Sequence, residues 1–226
     1  MSGDVRIFPL GDSALTVEFG NSISIDLNRK AIALASYFQE HPFEGFIESV
    51  PAYASTTLFY DPIVVRKANV GSSAFATVER WAHKILSSLE DVPEPESRLV
   101  EIPAFFTGYD APDLTSVAER AGLTPGEVID IFLAKNYRVY MLGFLPGFSY
   151  MGDVDERIAT PRKESPRTAV PKGSIGIAGR QTGIYSLESP GGWQLIGRTD
   201  ERMFDPESDE PACLRPGDSV KFVRAK

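Results

Sequence analysis

Glycine and proline interrupt the C-terminal half of this chain every few residues. From residue 137 onward, strand-forming residues stand between these interruptions, and no window is long enough for a good helix. The strand formers are Tyr140, Phe144, Phe148, Ile175, Ile177, Tyr185, Leu195 and Ile196. Proline removes a backbone donor and glycine weakens a helix interior, so both punctuate short strands. The pattern predicts a mostly β half, a barrel or a sandwich.

The first ninety residues alternate between strand and helix periods. Residues 5–8, 14–19, 46–50 and 56–60 predict strands, and apolar residues recur at helical spacing in 27–38 and 75–89. The predicted order is therefore ββαββα. Two helices packed on a small, mostly antiparallel sheet are the simplest way to bury those apolar stripes.

Residues 91–96 hold two prolines and three acidic residues and show no apolar periodicity, which is typical of a linker. We therefore expect two domains, 1–92 and 98–226. The second begins with a strand at 99–105 and continues with two short helices. Asp113 is placed to cap the first helix, whereas Thr124 and Glu127 form a capping box around Pro125 in the second.

Charge and composition exclude several classes of function. The net charge of −8 disfavours nucleic acid and anionic membranes, because both require attraction to phosphate. No stretch approaches the roughly 20 apolar residues that cross a bilayer. The N-terminus lacks a secretory signal and Cys213 is the single cysteine, so we expect a cytoplasmic protein that binds small molecules or proteins.

Motifs give no direct route to catalysis. The chain lacks a phosphate-binding loop, and Gly173, Gly176 and Gly179 have the wrong spacing for a dinucleotide fingerprint. Its two histidines, His41 and His83, stand beside no plausible nucleophile or ligand set. We assign no catalytic residue and expect no metal site.

Residues 157–180 are locally basic in a chain that is acidic as a whole: they contain six basic residues and one acidic residue. The basic residues are Arg157, Arg162, Lys163, Arg167, Lys172 and Arg180. Arginine binds carboxylate or phosphate through two parallel hydrogen bonds, so the group indicates an anion site, although a solvated positive face remains an alternative. Tyr150, Tyr185 and Trp193 are candidate walls of such a site, but a core role is equally common for these residues.

Seven segments together carry a resemblance to a known family. They read GDSALTVEFG at 11–20, GFLPGFSYMG at 143–152, PR at 161–162, SPR at 165–167, VPKGSIGIAG at 170–179, QTGIYSLESPGGW at 181–193 and IGRTD at 196–200. The chain resembles the family that contains the B subunit of bacterial 5-oxoprolinase, the sporulation kinase inhibitor KipI and allophanate hydrolase subunit 1. The resemblance implies an α+β protein, with an N-terminal ferredoxin-like α/β domain followed by a C-terminal cyclophilin-like β-barrel domain.

The resemblance also implies a function. It indicates ATP-dependent opening of 5-oxoproline to L-glutamate, with ATP acting at the level of a hetero-oligomeric complex. The partners would be a protein like the C subunit of 5-oxoprolinase, of the allophanate hydrolase subunit 2 type, and a protein like its A subunit. The alternatives are a KipI-like inhibitor of a sensor histidine kinase and allophanate hydrolase subunit 1.

Within this chemistry, cations would hold a carboxylate or phosphate, while other side chains would orient the amide and pack the ring. The candidates for the anion are Arg162, Arg167, Lys172 and Arg198; Gln181 would orient the amide, and Tyr185 and Trp193 would pack the ring. The chain departs from the family pattern at Phe132, where members often carry histidine, and at Ser186, where proline is common. Phe132 weakens any mechanism that uses a histidine in the barrel cleft.

Overall fold

A computed structural model describes residues 5–89 and 97–225. The chain divides into two compact units, Met1–Glu96 and Ser97–Lys226. The linker predicted at 91–96 lies outside the described residues. Over the described ranges, no helix has both the length and the apolar character needed to span a membrane.

The first unit is a four-stranded antiparallel sheet with helices packed on it. Its elements are β1 (Arg6–Pro9), β2 (Ala14–Glu18), α1 (Ile25–Glu40), β3 (Phe46–Pro51), β4 (Ser55–Tyr60), α2 (Pro62–Ala68) and α3 (Ala74–Leu86). The strands lie in the order β1-β2-β4-β3. Leu15 and Leu58 from the sheet share one buried core with Leu34 of α1 and Val78 of α3. The predicted order of strands and long helices agrees with these elements.

Helix α2 was not predicted from the sequence. It has seven residues, too few for an apolar period to emerge. Its start is nevertheless marked in the sequence, because Pro62 occupies the first turn and the Asp61 carboxylate accepts hydrogen bonds from the N–H groups of Ile63 and Val64. The ferredoxin-like assignment of this unit stays a prediction.

The second unit is dominated by a curled seven-stranded sheet. Its elements are β5 (Leu99–Ala104), a 3-10 helix (Gly108–Asp110), α4 (Leu114–Ala121), α5 (Pro125–Leu133), β6 (Asn136–Leu142), β7 (Ser149–Gly152), β8 (Arg167–Val170), β9 (Ser174–Ala178), β10 (Gln181–Ile184), β11 (Ser189–Gly191), β12 (Gln194–Arg198) and β13 (Ser219–Arg224). The strand order is β12-β9-β10-β7-β6-β13-β5, and β8 pairs separately with β11. Phe105, next to β5, and Arg198, in β12, exchange two backbone hydrogen bonds of 2.8 and 2.9 Å. The two edge strands therefore meet, and the sheet is barrel-like.

Local sequence signals account for the two helices of this unit. Thr124 and Glu127 form the predicted capping box, and Pro125 stands in the first turn of α5. Asp113 precedes α4 as predicted, but its side chain makes no capping hydrogen bond. Phe132, at the end of α5, is fully buried in the main core. The cyclophilin-like assignment stays a prediction beyond the barrel-like form.

Candidate functional site

A cavity of about 260 Å³ opens beside the 3-10 helix of the second unit. Strand β8 contributes Arg167, β9 contributes Ser174 and β12 contributes Leu195 and Arg198. Asp110 of the 3-10 helix also lines the cavity. Arg167, the first residue of β8, and Arg198, the last residue of β12, thus line the same cavity.

The first arginine is anchored on a buried carboxylate. Arg167 Nη2 donates to Asp113 Oδ1 at 2.7 Å, and Lys163 Nζ donates to the same oxygen at 3.1 Å. The other carboxylate oxygen of Asp113 accepts the N–H of Leu195 at 2.7 Å. Asp113 is only 5% exposed. Asp113, at the start of α4, therefore contacts Lys163 before β8, Arg167 in β8 and Leu195 in β12.

Burial and hydrogen bonding shift the pKa of the Asp113 carboxyl in opposite directions. Burial raises the pKa of the Asp113 carboxyl, but the hydrogen bonds from Arg167, the Leu195 N–H and Lys163 together outweigh burial. The net result is a pKa below the ordinary value of an aspartic acid. Asp113 is therefore ionised at neutral pH and balances one of the two cations that contact it.

Arg167 has a further donor without an acceptor. Its Nη1 atom is buried and has no hydrogen-bond partner among the residues that the structure describes. Buried donors in native proteins are nearly always paired with protein atoms, water or ligand. The side-chain oxygens of Tyr60, Thr77 and Ser149 are buried without a partner in the same way, so this nitrogen by itself does not mark the cavity as a binding site.

The second arginine is also held by acids. Arg198 Nε donates to Asp110 Oδ1 at 2.6 Å, and Nη1 donates to Asp200. Its guanidinium carbon lies 5.8 Å from the ring centroid of Phe105. The backbone pairing of Arg198 with Phe105 fixes the base of the side chain, so this cation has a defined position at the cavity.

The structure brings Arg167 and Arg198 together at the cavity and places the other five predicted site residues elsewhere. The guanidinium of Arg162 lies 5.9 Å from the ring of Trp193. Tyr185 and Trp193 are buried and pack edge-to-face against Phe148 at 5.2 and 5.6 Å between ring centroids. These two aromatics thus take the core role that the sequence left open.

The remaining predicted residues lie outside the cavity lining. Lys172 is exposed in the turn between β8 and β9, beside the cavity residue Pro171. Gln181 lies in β10, opposite Gly152 on one side and Ala178 on the other. Neither residue lines the cavity of Arg167 and Arg198.

The two acids that organise the cavity were not predicted as site residues. Asp113 stands where a helix cap is expected, which hid its role as an ion-pair partner. Asp110 lies 88 residues from Arg198 in the chain. One signal for these acids was present in the sequence: two aspartates, Asp110 and Asp113, stand within four residues, directly before a helix and outside its first turn.

Comparisons with known proteins give consistent results over almost the whole chain. The family model described as carboxyltransferase domain, subdomain C and D, matches residues 5–214. A Bacillus subtilis (strain 168) protein, named as the B subunit of 5-oxoprolinase, is 48% identical over 221 residues, covering 97% of this chain and 92% of that protein. An Escherichia coli O157:H7 protein of the same name is 38% identical over 221 residues, covering 98% of this chain and 96% of that protein.

Solved structures support the same fold. The crystal structure of TTHA0988 matches with a TM-score of 0.79 at 37% sequence identity. The match covers 99% of this chain and 40% of that one, so this chain spans about two fifths of the length of that relative.

Proposed function

This chain belongs to the family of the carboxyltransferase domain, subdomains C and D, and we propose that it acts as the B subunit of a 5-oxoprolinase. The observation that carries the proposal is the 48% identity to a protein of that name over 97% of the chain. Three curated relatives at 37–48% identity carry this name, which favours it over the kinase-inhibitor and allophanate alternatives.

The proposed reaction is the ATP-dependent opening of 5-oxoproline to L-glutamate. Transfer of the γ-phosphoryl group of ATP to the lactam oxygen releases ADP and makes the carbonyl carbon a better electrophile. Water then attacks that carbon, the ring C–N bond breaks and phosphate leaves, while cationic or amide donors stabilise the charge that develops. A protein named as one of several subunits implies the others, and we propose partners resembling the C and A subunits of 5-oxoprolinase. ATP is then a cofactor of the assembled complex.

The proposal has a structural and a cellular part. We assign the first unit to the ferredoxin-like class and the second to the cyclophilin-like class, the latter supported by the barrel-like sheet whose edges meet at Phe105 and Arg198. A cytoplasmic location agrees with the single free thiol of Cys213, since reducing compartments keep cysteines unpaired.

Reconstitution tests the function. The full chain is co-expressed with the two partner proteins that resemble the C and A subunits, purified by size exclusion, and assayed for glutamate and ADP formed from 5-oxoproline and ATP. We expect turnover by the assembled complex and none by any single component. Robust turnover by this chain alone, or no association with the C-type partner at micromolar concentration, contradicts the proposal.

A further inference from the structure

A cleft of about 850 Å³ opens on the first unit, beside α2 and the turn that leads into α3. Its wall includes Ile63 from the first turn of α2, Arg66 and Lys67 from the last turn, and Val70 from the turn that follows. Asp12, between β1 and β2, also lines the cleft. None of these residues lines the cavity beside the 3-10 helix, so the cleft is a separate feature of the surface.

Two of the residues that line the cleft are apolar and exposed. Ile63 is 63% exposed, and Val70, at 94%, is the most exposed large apolar side chain in the ranges 5–89 and 97–225. Folding gains nothing from a side chain left in water, because an apolar group is stabilised only by its removal from water. Exposed apolar side chains gathered at one cleft are typical of a protein interaction site.

The same wall carries two cations that the chain does not pair. The side chains of Arg66 and Lys67 are exposed and make no ion pair within the part of the chain that the structure describes. They follow Ile63 by three and four residues, so all three side chains lie on one side of α2. Because the chain carries a net charge of −8, this wall is a basic spot on an acidic protein. A surface that complements the wall is therefore both apolar and acidic.

Symmetry and exposure narrow the class of occupant. A two-fold dimer formed through this cleft would place the same wall on both subunits, so cations would face cations. Pockets for small molecules enclose most of the ligand, whereas Arg66, Lys67 and Val70 are all exposed. An open wall of this kind fits the surface of a different protein.

We propose that this cleft is the docking site for an acidic segment of a partner protein. An apolar side chain of the segment packs between Ile63 and Val70, and its carboxylates pair with Arg66 and Lys67. The acidic and apolar character of the segment follows from the cleft. Naming the partner as the protein that resembles the C subunit rests on the proposed function.

Charge reversal tests the two cations. The wild-type chain and two double variants are titrated with the purified C-type partner in biolayer interferometry. Arg66→Glu with Lys67→Glu should raise Kd at least tenfold, because acids then face acids. Arg80→Glu with Lys84→Glu is the matched control, since these exposed cations of α3 lie outside the cleft lining and alter the net charge by the same amount.

The control should keep Kd within twofold of the wild type. An equal Kd in the two double variants overturns the docking site. Cations in the last turn of a helix also stabilise that end of the helix. If Arg66 and Lys67 serve only α2, reversal lowers the melting temperature and leaves Kd unchanged, which likewise overturns the proposal.

Ile63→Ser tests the apolar contact without altering any charge. Its matched control is Ile47→Ser, because Ile47 of β3 is 61% exposed and does not line the cleft. We expect Kd to rise at least tenfold for Ile63→Ser and to stay within twofold for Ile47→Ser. Thermal melts of both variants should match the wild type, since neither side chain is buried. A wild-type Kd for Ile63→Ser overturns the proposal.

Other occupants give different results. If the isolated chain elutes as a dimer and Arg66→Glu with Lys67→Glu restores the monomer, the occupant is a second copy and the proposal is wrong. Calorimetric binding of ATP that the same double variant abolishes makes the cleft a nucleotide site, which also overturns the proposal.

Failure of the cleft and failure of the proposed function are distinguishable. If the cleft variants bind the C-type partner with wild-type Kd and the complex turns over 5-oxoproline, the cleft proposal is wrong and the function stands. If the wild-type chain does not bind the C-type partner, the proposed function is wrong and the docking partner named here is wrong with it.

Discussion

The buried carboxylate of Asp113 makes the second unit sensitive to one substitution, Asp113→Asn. The asparagine keeps the size of the side chain and an oxygen for the Leu195 N–H, but it removes the negative charge from two cations. Breaking a buried ion pair costs about 3–5 kcal/mol. Arg167 and Lys163 retain 25% and 32% exposure and so recover part of their hydration, which lowers our expectation to about 2 kcal/mol.

The loss of stability caused by Asp113→Asn should be larger at neutral pH than in acid. The pKa of the Asp113 carboxyl is lower in the folded chain than the roughly 3.9 of an unfolded aspartic acid. A depressed folded pKa stabilises the protein above the unfolded pKa, and the contribution disappears as pH falls through the folded pKa. The difference between the wild type and Asp113→Asn should therefore be full at about pH 6–7 and shrink below about pH 4.

Urea unfolding, followed by circular dichroism at several pH values, measures both effects. Asp130→Asn is the matched control, because Asp130 makes one ion pair with Arg224 at 2.8 Å and is 73% exposed. Exposed pairs contribute about 0–1 kcal/mol, so the control should change little. Equal destabilisation by the two substitutions at neutral pH, or a difference from the wild type that stays constant down to about pH 3, would refute the account of Asp113.

The remaining predictions concern backbone geometry and a helix cap. Gly173→Ala should destabilise the chain by about 3 kcal/mol, because φ at this position is +83° and the new Cβ would collide with the Thr199 carbonyl oxygen. Gly179→Ala is the control, because φ there is +60° but the space around the new Cβ is open. It should cost only the roughly 1–2 kcal/mol of the left-handed conformation. Equal losses in urea unfolding would contradict the collision. Thr124→Ala should cost about 1 kcal/mol by removing the side-chain cap of α5, and Thr124→Ser, which keeps the hydroxyl, should restore it. A Thr124→Ser variant as unstable as Thr124→Ala in thermal melts would show that the hydroxyl is not the cause.

Local signals predicted the elements whose causes are local. The capping box of Thr124 and Glu127 fixes the start of α5 within four residues, so the sequence alone suffices there. The strands between glycines were equally predictable as a class. Their order was not, because β13 pairs in parallel with β5 and antiparallel with β6, and such pairing depends on contacts more than 75 residues apart.

The cavity shows the same division between local and distant causes. The charge reversal drew attention to Arg167, and the family resemblance to Arg198. Their acids were not predictable, because Asp113 is 54 residues from Arg167 and only the fold brings the two together. For Trp193 the sequence left open a wall of the site and a core role; its position against Phe148 in a buried aromatic cluster is a tertiary property that decides for the core.

The Phe132 position illustrates how burial changes the meaning of a substitution. The resemblance suggested that phenylalanine here weakens a mechanism based on a cleft histidine. In the structure, the Phe132 ring is fully buried and lies 4.9 Å from Tyr137 and 5.0 Å from Phe222 between ring centroids. The Tyr137 hydroxyl donates to the backbone oxygen of Phe132 at 2.8 Å, a bond that does not depend on the side chain at 132.

An aromatic ring at this position therefore serves packing, and phenylalanine meets that need without burying a polar group that requires a partner. Phe132 does not line the cavity that contains Arg167 and Arg198. Phenylalanine at position 132 consequently leaves the ion pairs of Arg167 and Arg198 unchanged, since these arginines and their acids belong to other elements. The departure at 132 therefore bears on the core of this barrel-like unit.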